Sequence, residues 1–326
     1  MGVAFRMRPG FANVPIRRVA AGASRRDSAM QIGYPCSNLA IGCSAARTFR
    51  LASYSPARLI ETVTANLDCL EAILRWNAAH GIRYFRISSG TIPFASHPIM
   101  DVAWQEIFAP RLAELGAIIH AEGMRVTTHP GQYTLLNSPR PEVVEASIWE
   151  LAYHAELFDL LGLDITHKIQ IHVGGVYGDR DAARETFIAR IPTLPAIVRR
   201  RLAIENDERQ YALADCLAIA ERTGLPVIFD WFHHALFNHG EAPGTALDAF
   251  MATWDPARDG VPMMDFSTQD PAKQAGAHAA SIDLDAFAAF LDALAGRNVD
   301  VMLEIKDKEA SALAANAMLA ARSVPA

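Results

Sequence analysis

Five short apolar runs in this sequence each end in a histidine or a carboxylate. Each run is as long as a β-strand, and a stretch with helical spacing of its apolar residues follows it. If these strands run parallel and end on one side of a barrel, their terminal side chains meet in one pocket. The feature therefore predicts a fold of alternating strands and helices with a polar pocket at one end. The residues that end the five runs are His129, His172, Glu205, Asp230 and Glu304.

The rest of the chain follows the same alternation, and glycines such as Gly81, Gly123 and Gly224 stop several helical stretches. Eight strand–helix units predict a single (β/α)8 TIM barrel of the α/β class. The alternative is a doubly wound open sheet, but no glycine fingerprint for a dinucleotide follows any strand. The predicted strands cover residues 31–34, 83–87, 124–128, 168–172, 202–205, 226–230, 262–266 and 300–305, and the predicted helices cover 56–80, 103–122, 141–161, 181–201 with proline interruptions, 211–223, 245–253, 284–295 and 309–322.

Charge and composition narrow the possible functions. The 326 residues are 51% hydrophobic and carry a net charge of −6 at pH 7. A globular chain without a global basic field is not typical of a protein that coats nucleic acid, although an enzyme can act on DNA through local charge or bound cations. The sequence has no uninterrupted run of about 18 apolar residues, so it predicts no membrane-spanning helix.

The N-terminal segment 1–29 differs from the remainder of the chain. It places arginines among alanine, glycine and proline, and Asp27 is its single acid. We interpret it as a disordered extension, or as sequence that precedes a true start at Met30. A basic arm that contacts DNA phosphates is the alternative. The barrel domain is then predicted to span 30–326.

The cysteines give no framework for the fold. Cys36, Cys43, Cys69 and Cys216 show no paired spacing. A bridge between Cys36 and Cys43 is one alternative, but reduced thiols in a cytoplasmic protein are the prediction.

Further metal-ligand residue types are predicted to join the pocket. Asp265 lies at the end of the seventh predicted strand, His278 lies in the loop that follows it, and His233 comes three residues after Asp230. The spacing from Asp230 favours His233 over the adjacent His234 as a ligand. Nitrogen and oxygen donors without thiolates suit Mn²⁺, Zn²⁺ or Fe²⁺, and so many ligands imply more than one ion. Carboxylates gathered in one pocket repel one another, and cations would compensate them.

Simpler explanations exist for the individual ligands. Glu205 could pair with Arg200 or Arg201, and Asp230 and Glu304 could cap the helices that follow them. A lone histidine after a strand is often only hydrogen-bonded. The joint placement of all these residues, which such explanations do not predict, favours a multi-metal site.

A cluster of ions in a barrel mouth supports two chemistries, hydrolysis of a phosphodiester or isomerisation of a sugar. Gln132 and Tyr133 follow His129 after a Pro–Gly turn and offer an amide and an aromatic face. This pair is suited to filling a gap in a base stack and to hydrogen-bonding a base edge. The alternative for the tyrosines is ordinary packing over the barrel mouth. Other residues that offer similar contacts to DNA are Tyr34, Asn38 and His97.

Taken in order, these motifs resemble those of the UV damage endonuclease family. The resemblance runs across nearly the whole predicted barrel, and such an ordered series is highly specific. The matching segments are GYPCSNL at 33–39, RISS at 86–89, HPGQY at 129–133, HVGGVYGD at 172–179, ENDE at 205–208, DWFHH at 230–234 and EIKDKE at 304–309.

The resemblance implies a TIM barrel related to endonuclease IV, with about three divalent ions, usually manganese, although Zn²⁺, Mg²⁺ or Co²⁺ could replace it. It implies a monomeric cytoplasmic enzyme, working at the nucleoid, that cuts double-stranded DNA immediately 5′ to UV photoproducts and other distorting lesions. Glu205 or Glu304 would orient the attacking water. By the same resemblance, the metal ligands are His129, His172, Glu205, Asp230, His233, His278 and Glu304; Gln132 and Tyr133 wedge into the duplex; and Tyr34, Asn38 and His97 belong to the lesion pocket and phosphate track.

The seventh strand departs from the family pattern. Well-known members have Lys-x-His there, and the lysine can be carboxylated and help to hold the ions. This chain reads Met263-Met264-Asp265 instead. We predict that Asp265 takes the ligand position and that two tight ions remain. The departure also leaves open a protein that binds lesions without cutting.

Overall fold

The computed structural model describes residues 30–322, and eight parallel strands close into a barrel in sequence order. The predicted TIM barrel is therefore confirmed, whereas the interpretation of residues 1–29 and the last residues of the chain lies outside the described part. The strands are β1 (Ile32–Pro35), β2 (Tyr84–Ile87), β3 (Arg125–Thr128), β4 (Ile169–His172), β5 (Leu202–Glu205), β6 (Val227–Asp230), β7 (Met263–Phe266) and β8 (Asp300–Leu303).

The helices surround the barrel close to the predicted positions. The predicted stretch 181–201 divides into two helices and a 3-10 turn, because Pro192 and Pro195 cannot continue a helix. A short helix directly after β6 was not predicted. The helices are α1 (Pro56–Ala79), α2 (Trp104–Ala121), α3 (Pro141–Leu160), α4 (Arg180–Arg190), α5 (Ala196–Arg199), α6 (Leu213–Thr223), α7 (Trp231–Leu236), α8 (Pro243–Met251), α9 (Leu284–Leu294) and α10 (Glu309–Arg322).

Helix α1 shows how the sequence specifies these elements. The side chain of Ser55 accepts a hydrogen bond from the Arg58 backbone N–H, and Pro56 occupies the first turn, where its missing N–H costs nothing. Apolar residues recur at helical spacing, and Leu59, Val63 and Leu67 are fully buried. This face packs into the hydrophobic core, and the Tyr34 hydroxyl on β1 donates a hydrogen bond to Asn77 on the same helix at 2.6 Å. None of the helices between residues 30 and 322 is long and apolar enough to cross a lipid bilayer.

The barrel interior is filled by side chains that reach across it. The Tyr84 hydroxyl on β2 donates to the Met263 sulfur on β7 at 3.1 Å, although these strands are not neighbours. Because residues two apart on a strand point to the same side, Arg86 and Asp265 also point inward, one layer nearer the carboxyl ends of the strands. The polar pocket therefore lies directly above a layer of packed side chains inside the barrel.

Ionic groups close the opposite end of the barrel. Arg125 pairs with Asp300 at 2.8 Å and also donates to the backbone oxygens of Val261, Asp259 and Thr166. Beside it, Lys168 pairs with Asp259 at 2.6 Å. Paired charges at this end of a barrel serve stability rather than chemistry, because the loops that carry function lie at the other end.

The cysteine prediction is wrong. Cys43, in the loop after β1, forms a disulfide with Cys69 on α1, while Cys36 and Cys216 are free. Cys69 lies on the buried face of α1, against which the loop folds. The pairing depends on where that loop crosses the helix, and spacing along the chain does not contain this information.

Gly116 on α2 provides a test of helix packing. A Cβ atom there would lie 1.8 Å from the backbone oxygen of Leu161, at the end of α3. Gly116→Ala should therefore push the two helices apart and lower the free energy of unfolding by about 3 kcal/mol. Chemical denaturation would measure the change. Gly244→Ala on α8 is the matched control: its Cβ would meet nothing within 4 Å, so a change below about 1 kcal/mol is expected. Equal effects at both glycines would contradict this explanation.

Candidate metal centre at the barrel mouth

The barrel brings the predicted residues together at the carboxyl ends of its strands. His129 follows β3, and His172, Glu205 and Asp230 are the last residues of β4, β5 and β6. The register places His172 directly beside Glu205 on the neighbouring strand. Because adjacent strands lie about 4.8 Å apart, side chains at such paired positions can share one ion.

One group of donors consists of His129, His172 and Glu205. The Oε2 atom of Glu205 lies 3.0 Å from His129 Nε2 and 3.6 Å from His172 Nε2. The Nδ1 atom of His172 is buried and has no hydrogen-bond partner among the described residues. The three side chains thus offer nitrogen and oxygen donors within 4.8 Å of one another.

A second group consists of Glu205, Asp230 and His233. His233 lies on the unpredicted helix α7, and Asp230 caps that helix by accepting a hydrogen bond from the His233 backbone N–H at 2.7 Å. Capping uses Oδ1 alone. The buried Oδ2 has no hydrogen-bond partner in the described structure and lies 3.5 Å from His233 Nδ1. The simpler explanation of Asp230 as a helix cap is therefore correct, and it leaves one oxygen for a ligand role.

Glu205 belongs to both groups and faces each with a different oxygen. Its Oε1 atom lies 3.5 Å from His233 Nδ1, whereas Oε2 faces His129 and His172. Gln170 donates to Oε2 at 2.7 Å and holds the carboxylate in place. A carboxylate in this position can bridge two cations.

Backbone oxygens orient three of the imidazoles. The Nδ1 atoms of His129 and His278 each lie 2.9 Å from a backbone oxygen, of Pro130 and Glu304 respectively, and His233 Nδ1 lies 3.1 Å from the Asn206 oxygen. Each contact leaves Nε2 to face a carboxylate, that of Glu205 for His129, Glu304 for His278 and Glu208 for His233. Metal-binding histidines commonly show this arrangement, because the carbonyl fixes both tautomer and ring direction.

The third side of the pocket contains Glu304, His278 and Asp265, and none of the three belongs to either donor group. His278 Nε2 is 3.7 Å from Glu304 Oε2. Asp265 instead directs both oxygens at Arg86, 2.8 Å from Nη2, and lies in neither donor group. Arg86 also contacts Glu304.

The protonation of the pocket reflects its excess of carboxylates. Burial disfavours charge on Glu205, yet the imidazoles of His172 and His129 hold its pKa well below the usual value. Burial also opposes charge on His233, but Asp230 and Glu205 raise its pKa to about 11. Burial, reinforced by Glu205, raises the pKa of Asp230 well above its ordinary value. The pocket thus attracts positive charge, which divalent cations could supply while releasing protons.

The loop after β3 presents its side chains to solvent. Gln132 is exposed and Tyr133 is 64% exposed. The Tyr133 ring lies over Gly131, where an added Cβ would come within 2.4 Å of it, and the hydroxyl lies 3.3 Å from Glu150 on α3. The glycine and the carboxylate therefore fix the direction of an exposed aromatic ring.

The structure corrects the roles predicted for Tyr34 and Asn38. Tyr34 is 0% exposed, and its hydroxyl donates to Asn77 on α1 at 2.6 Å. Asn38 is also buried; it donates to the Tyr34 hydroxyl at 2.9 Å and accepts from the Ala40 backbone at 3.0 Å. Both residues shape the loop after β1 and cannot contact DNA in this conformation. His97 is half-buried beside Phe94, and its Nδ1 accepts from the Ile99 backbone at 3.0 Å.

A cavity of about 410 Å³ opens beside the first donor group. His129 and His172 line its inner side, and Gln132, Tyr177 and Arg209 are among the residues of its walls. The cavity connects the donors with the exposed loops, so a substrate in it could reach the pocket.

Two polar residues of the site, Arg86 and Gln170, were assigned no role from the sequence. Each is an isolated polar residue inside an apolar strand, and Gln170 lies two residues before His172, on the same side of β4. That spacing was the available signal. For the adjacent histidines, His233 lies in the second donor group, whereas the His234 ring packs 4.9 Å from the Phe229 ring.

Fold and site together define a (β/α)8-barrel protein with a histidine–carboxylate centre at the carboxyl ends of its strands. The sequence profile described as UV-endonuclease UvdE matches residues 30–323, and the chain belongs to this family. The UV DNA damage endonuclease of Clostridium perfringens is 36% identical over 285 residues, covering 87% of this chain and 69% of that protein. The protein of the same name from Bacillus cereus (strain Q1) is 33% identical over 294 residues, covering 87% and 92%.

One solved structure agrees with this assignment, and two more distant ones share the fold. The crystal structure of SacUVDE matches with a TM-score of 0.86 and 42% identity, covering 90% of this chain and 100% of that chain. Endonuclease IV from Thermus thermophilus matches with a TM-score of 0.54 and 20% identity, covering 78% of this chain and 95% of that chain. An L-ribulose 3-epimerase matches with a TM-score of 0.57 and 17% identity, covering 90% and 94%. At these identities, the last two share the barrel fold only.

Proposed function

We propose that this protein is a DNA-repair endonuclease that cuts double-stranded DNA immediately 5′ to UV photoproducts and other distorting lesions, acting as a monomer with bound divalent ions. The observation that carries the proposal is Glu205, which two donor groups share at the barrel mouth of a UV endonuclease family member. Family membership favours phosphodiester chemistry over sugar isomerisation on the same barrel.

The donor set fits divalent cations. Imidazole nitrogens and carboxylate oxygens without thiolates suit manganese, and zinc, magnesium or cobalt could also be bound. Each donor group contains one buried atom that has no hydrogen-bond partner among the described residues, His172 Nδ1 in the first group and Asp230 Oδ2 in the second. Each of these atoms has a lone pair or a proton that no protein group satisfies. His129, His172 and Glu205 would hold one ion, and Glu205, Asp230 and His233 another. When bound, the ions lower the pKa of water and neutralise charge on the phosphodiester.

In this proposal Glu304 orients the attacking water. Burial opposes ionisation, but Arg86 lowers the pKa of Glu304 to about 2, so the carboxylate stays charged at neutral pH. The Glu304 carboxylate can therefore accept a hydrogen bond from the water and remain ionised. The water oxygen bonds to phosphorus and releases one proton to solvent, the bond from phosphorus to the 3′ oxygen breaks, and that oxygen takes up one proton from solvent. The products are a 3′-hydroxyl and a 5′-phosphate.

The loops around the mouth provide contacts for DNA. Gln132 and Tyr133 are exposed, and a damaged step that unstacks easily would admit them into the base stack. Arg140, Arg209 and Lys306 also lie in or next to loops at this end of the barrel, although Glu142, Glu208 and Asp270 partly neutralise them. DNA binding should therefore depend on salt, because phosphate contacts release counterions.

Incision of an end-labelled duplex that carries one cyclobutane dimer tests the proposal. With Mn²⁺ we expect a nick directly 5′ to the dimer, and with EDTA we expect none. An undamaged duplex is the control. Tight binding without a nick would indicate a protein that binds lesions without cutting them. If the protein neither binds nor nicks the damaged duplex, an action on damaged DNA is rejected.

Tyr133→Ala should weaken binding to the damaged duplex while leaving the metal content unchanged. Loss of one stacked ring removes about 1–3 kcal/mol, roughly a 5- to 150-fold rise in Kd. Tyr133→Phe keeps the ring and loses only the hydroxyl near Glu150, so it should bind nearly as the unmodified protein does. Fluorescence anisotropy on damaged and intact duplexes would measure both. A wedge role is rejected if Tyr133→Ala binds damaged DNA normally.

A further inference from the structure

Arg86 is a buried cation in the middle of the carboxylates. It is 3% exposed, and its guanidinium contacts Glu304 through Nη1 and Asp265 through Nη2. Nη2 also donates to Gln170 Oε1 at 2.8 Å. The planar guanidinium thus donates hydrogen bonds to several acceptors at once, in a geometry that the compact ammonium group of a lysine could not reproduce.

Gln170 extends this network to the shared carboxylate of the donor groups. Its amide nitrogen donates to Glu205 Oε2 at 2.7 Å and also to Asp265 Oδ2. Arg86 and Gln170 therefore connect three carboxylates of the pocket, Glu205, Asp265 and Glu304. The connections are made by hydrogen bonds from below, on the side away from the barrel mouth.

Asp265 has its oxygens committed to this network. Both lie 2.8 Å from Arg86 Nη2, and Oδ2 accepts a second hydrogen bond from Gln170. The residue is 0% exposed and lies in neither donor group. Asp230, at the paired position on β6, shows the opposite pattern, because its Oδ2 accepts no hydrogen bond among the described residues.

We propose that Arg86 is a built-in cation of this centre: it neutralises Asp265 and positions Glu304, so that Asp265 binds no metal ion and the chain takes two ions. The inference rests on the proposed metal-dependent function and deepens it. It replaces the predicted ligand role of Asp265 with that of a counter-ion. Arg86 is a positioning residue, because it touches Glu304 and not the reacting atoms.

Counting ions tests the proposal independently of incision. Apo-protein reconstituted with Mn²⁺ should hold two ions per chain, one for each donor group. Asp265→Asn should also hold two, with a Kd raised by no more than about tenfold through the link to Glu205. Glu205→Gln is the matched control and should lose at least one ion. A third ion in the unmodified protein, or an ion lost in Asp265→Asn, would overturn the proposal.

Two substitutions of Arg86 test the charge itself. Arg86→Gln leaves Asp265 and Glu304 uncompensated, so we expect a third Mn²⁺ to be bound between them. Arg86→Lys keeps the charge and should stay at two ions. An Arg86→Gln protein that folds, by circular dichroism, and still binds two ions contradicts the built-in cation. If Arg86→Gln does not fold, the Asp265→Asn count decides.

Incision assays on the same samples separate this inference from the proposed function. Two ions in both the unmodified protein and Asp265→Asn, with no nick in damaged DNA, would leave the inference standing and reject the endonuclease proposal. A lesion-specific nick by a protein that holds three ions would reject the inference alone.

Discussion

Replacing Glu205 with glutamine should abolish incision of damaged DNA and lower the manganese content of the protein. The two donor groups share this carboxylate, and each uses a different oxygen. Glutamine retains the size of the side chain but offers one neutral oxygen, so it cannot bridge two cations. We expect incision to fall by about 10³-fold or more, as for the loss of a central catalytic group.

A nearby carboxylate provides the matched control. Glu208 lies 3.9 Å from His233 but belongs to neither donor group. Glu208→Gln should therefore retain both ions. Atomic emission of the purified proteins and single-turnover incision would measure the two effects. A Glu205→Gln protein with full metal content and normal incision would show that the shared carboxylate is not the centre of the site.

Replacing Arg125 with methionine should cause the largest loss of stability. Arg125 is buried at the closed end of the barrel, where it pairs with Asp300 and donates to three backbone oxygens. Removing the guanidinium leaves the buried Asp300 carboxylate without its cationic partner, although the Gln31 backbone N–H still donates to it at 3.2 Å, and the carbonyls lose their donor. We expect the free energy of unfolding to fall by about 3–5 kcal/mol. Urea denaturation followed by circular dichroism would measure this fall.

Two companion variants separate lost charge from lost packing. Arg125→Met combined with Asp300→Leu removes both charges and should regain part of the stability, since no negative charge is then buried at this position without a cation. Arg75→Met, which breaks an exposed pair with Glu71, should change stability by less than about 1 kcal/mol. If Arg125→Met behaves like Arg75→Met, the buried network does not hold the closed end of the barrel.

The sequence by itself determined the barrel and the ring of polar residues at its mouth. Strand ends carry a local signal, because an apolar run that closes in His172, Glu205 or Asp230 is visible in the chain. Parallel strands then bring these ends together by topology alone. The sequence motifs also indicated the family that the profile match shows.

How deeply a side chain is buried, and which way it points, were decided only by the tertiary structure. Tyr34 and Asn38 were predicted to contact DNA, yet both are buried, and the Asn38 amide donates a hydrogen bond to the Tyr34 hydroxyl. The disulfide between Cys43 and Cys69 depends on the path of the loop after β1 over α1.

Asp265 shows the limit most clearly. It lies near the end of a strand, as Asp230 does, and a carboxylate in that place was predicted to bind an ion in both cases. Its orientation follows from Arg86, which is 179 residues away in the chain and reaches it across the barrel. Local sequence specifies which residues end a strand. The partner of a buried charged side chain depends on contacts between distant strands, because the free energy of burying the charge is set by the groups that surround it.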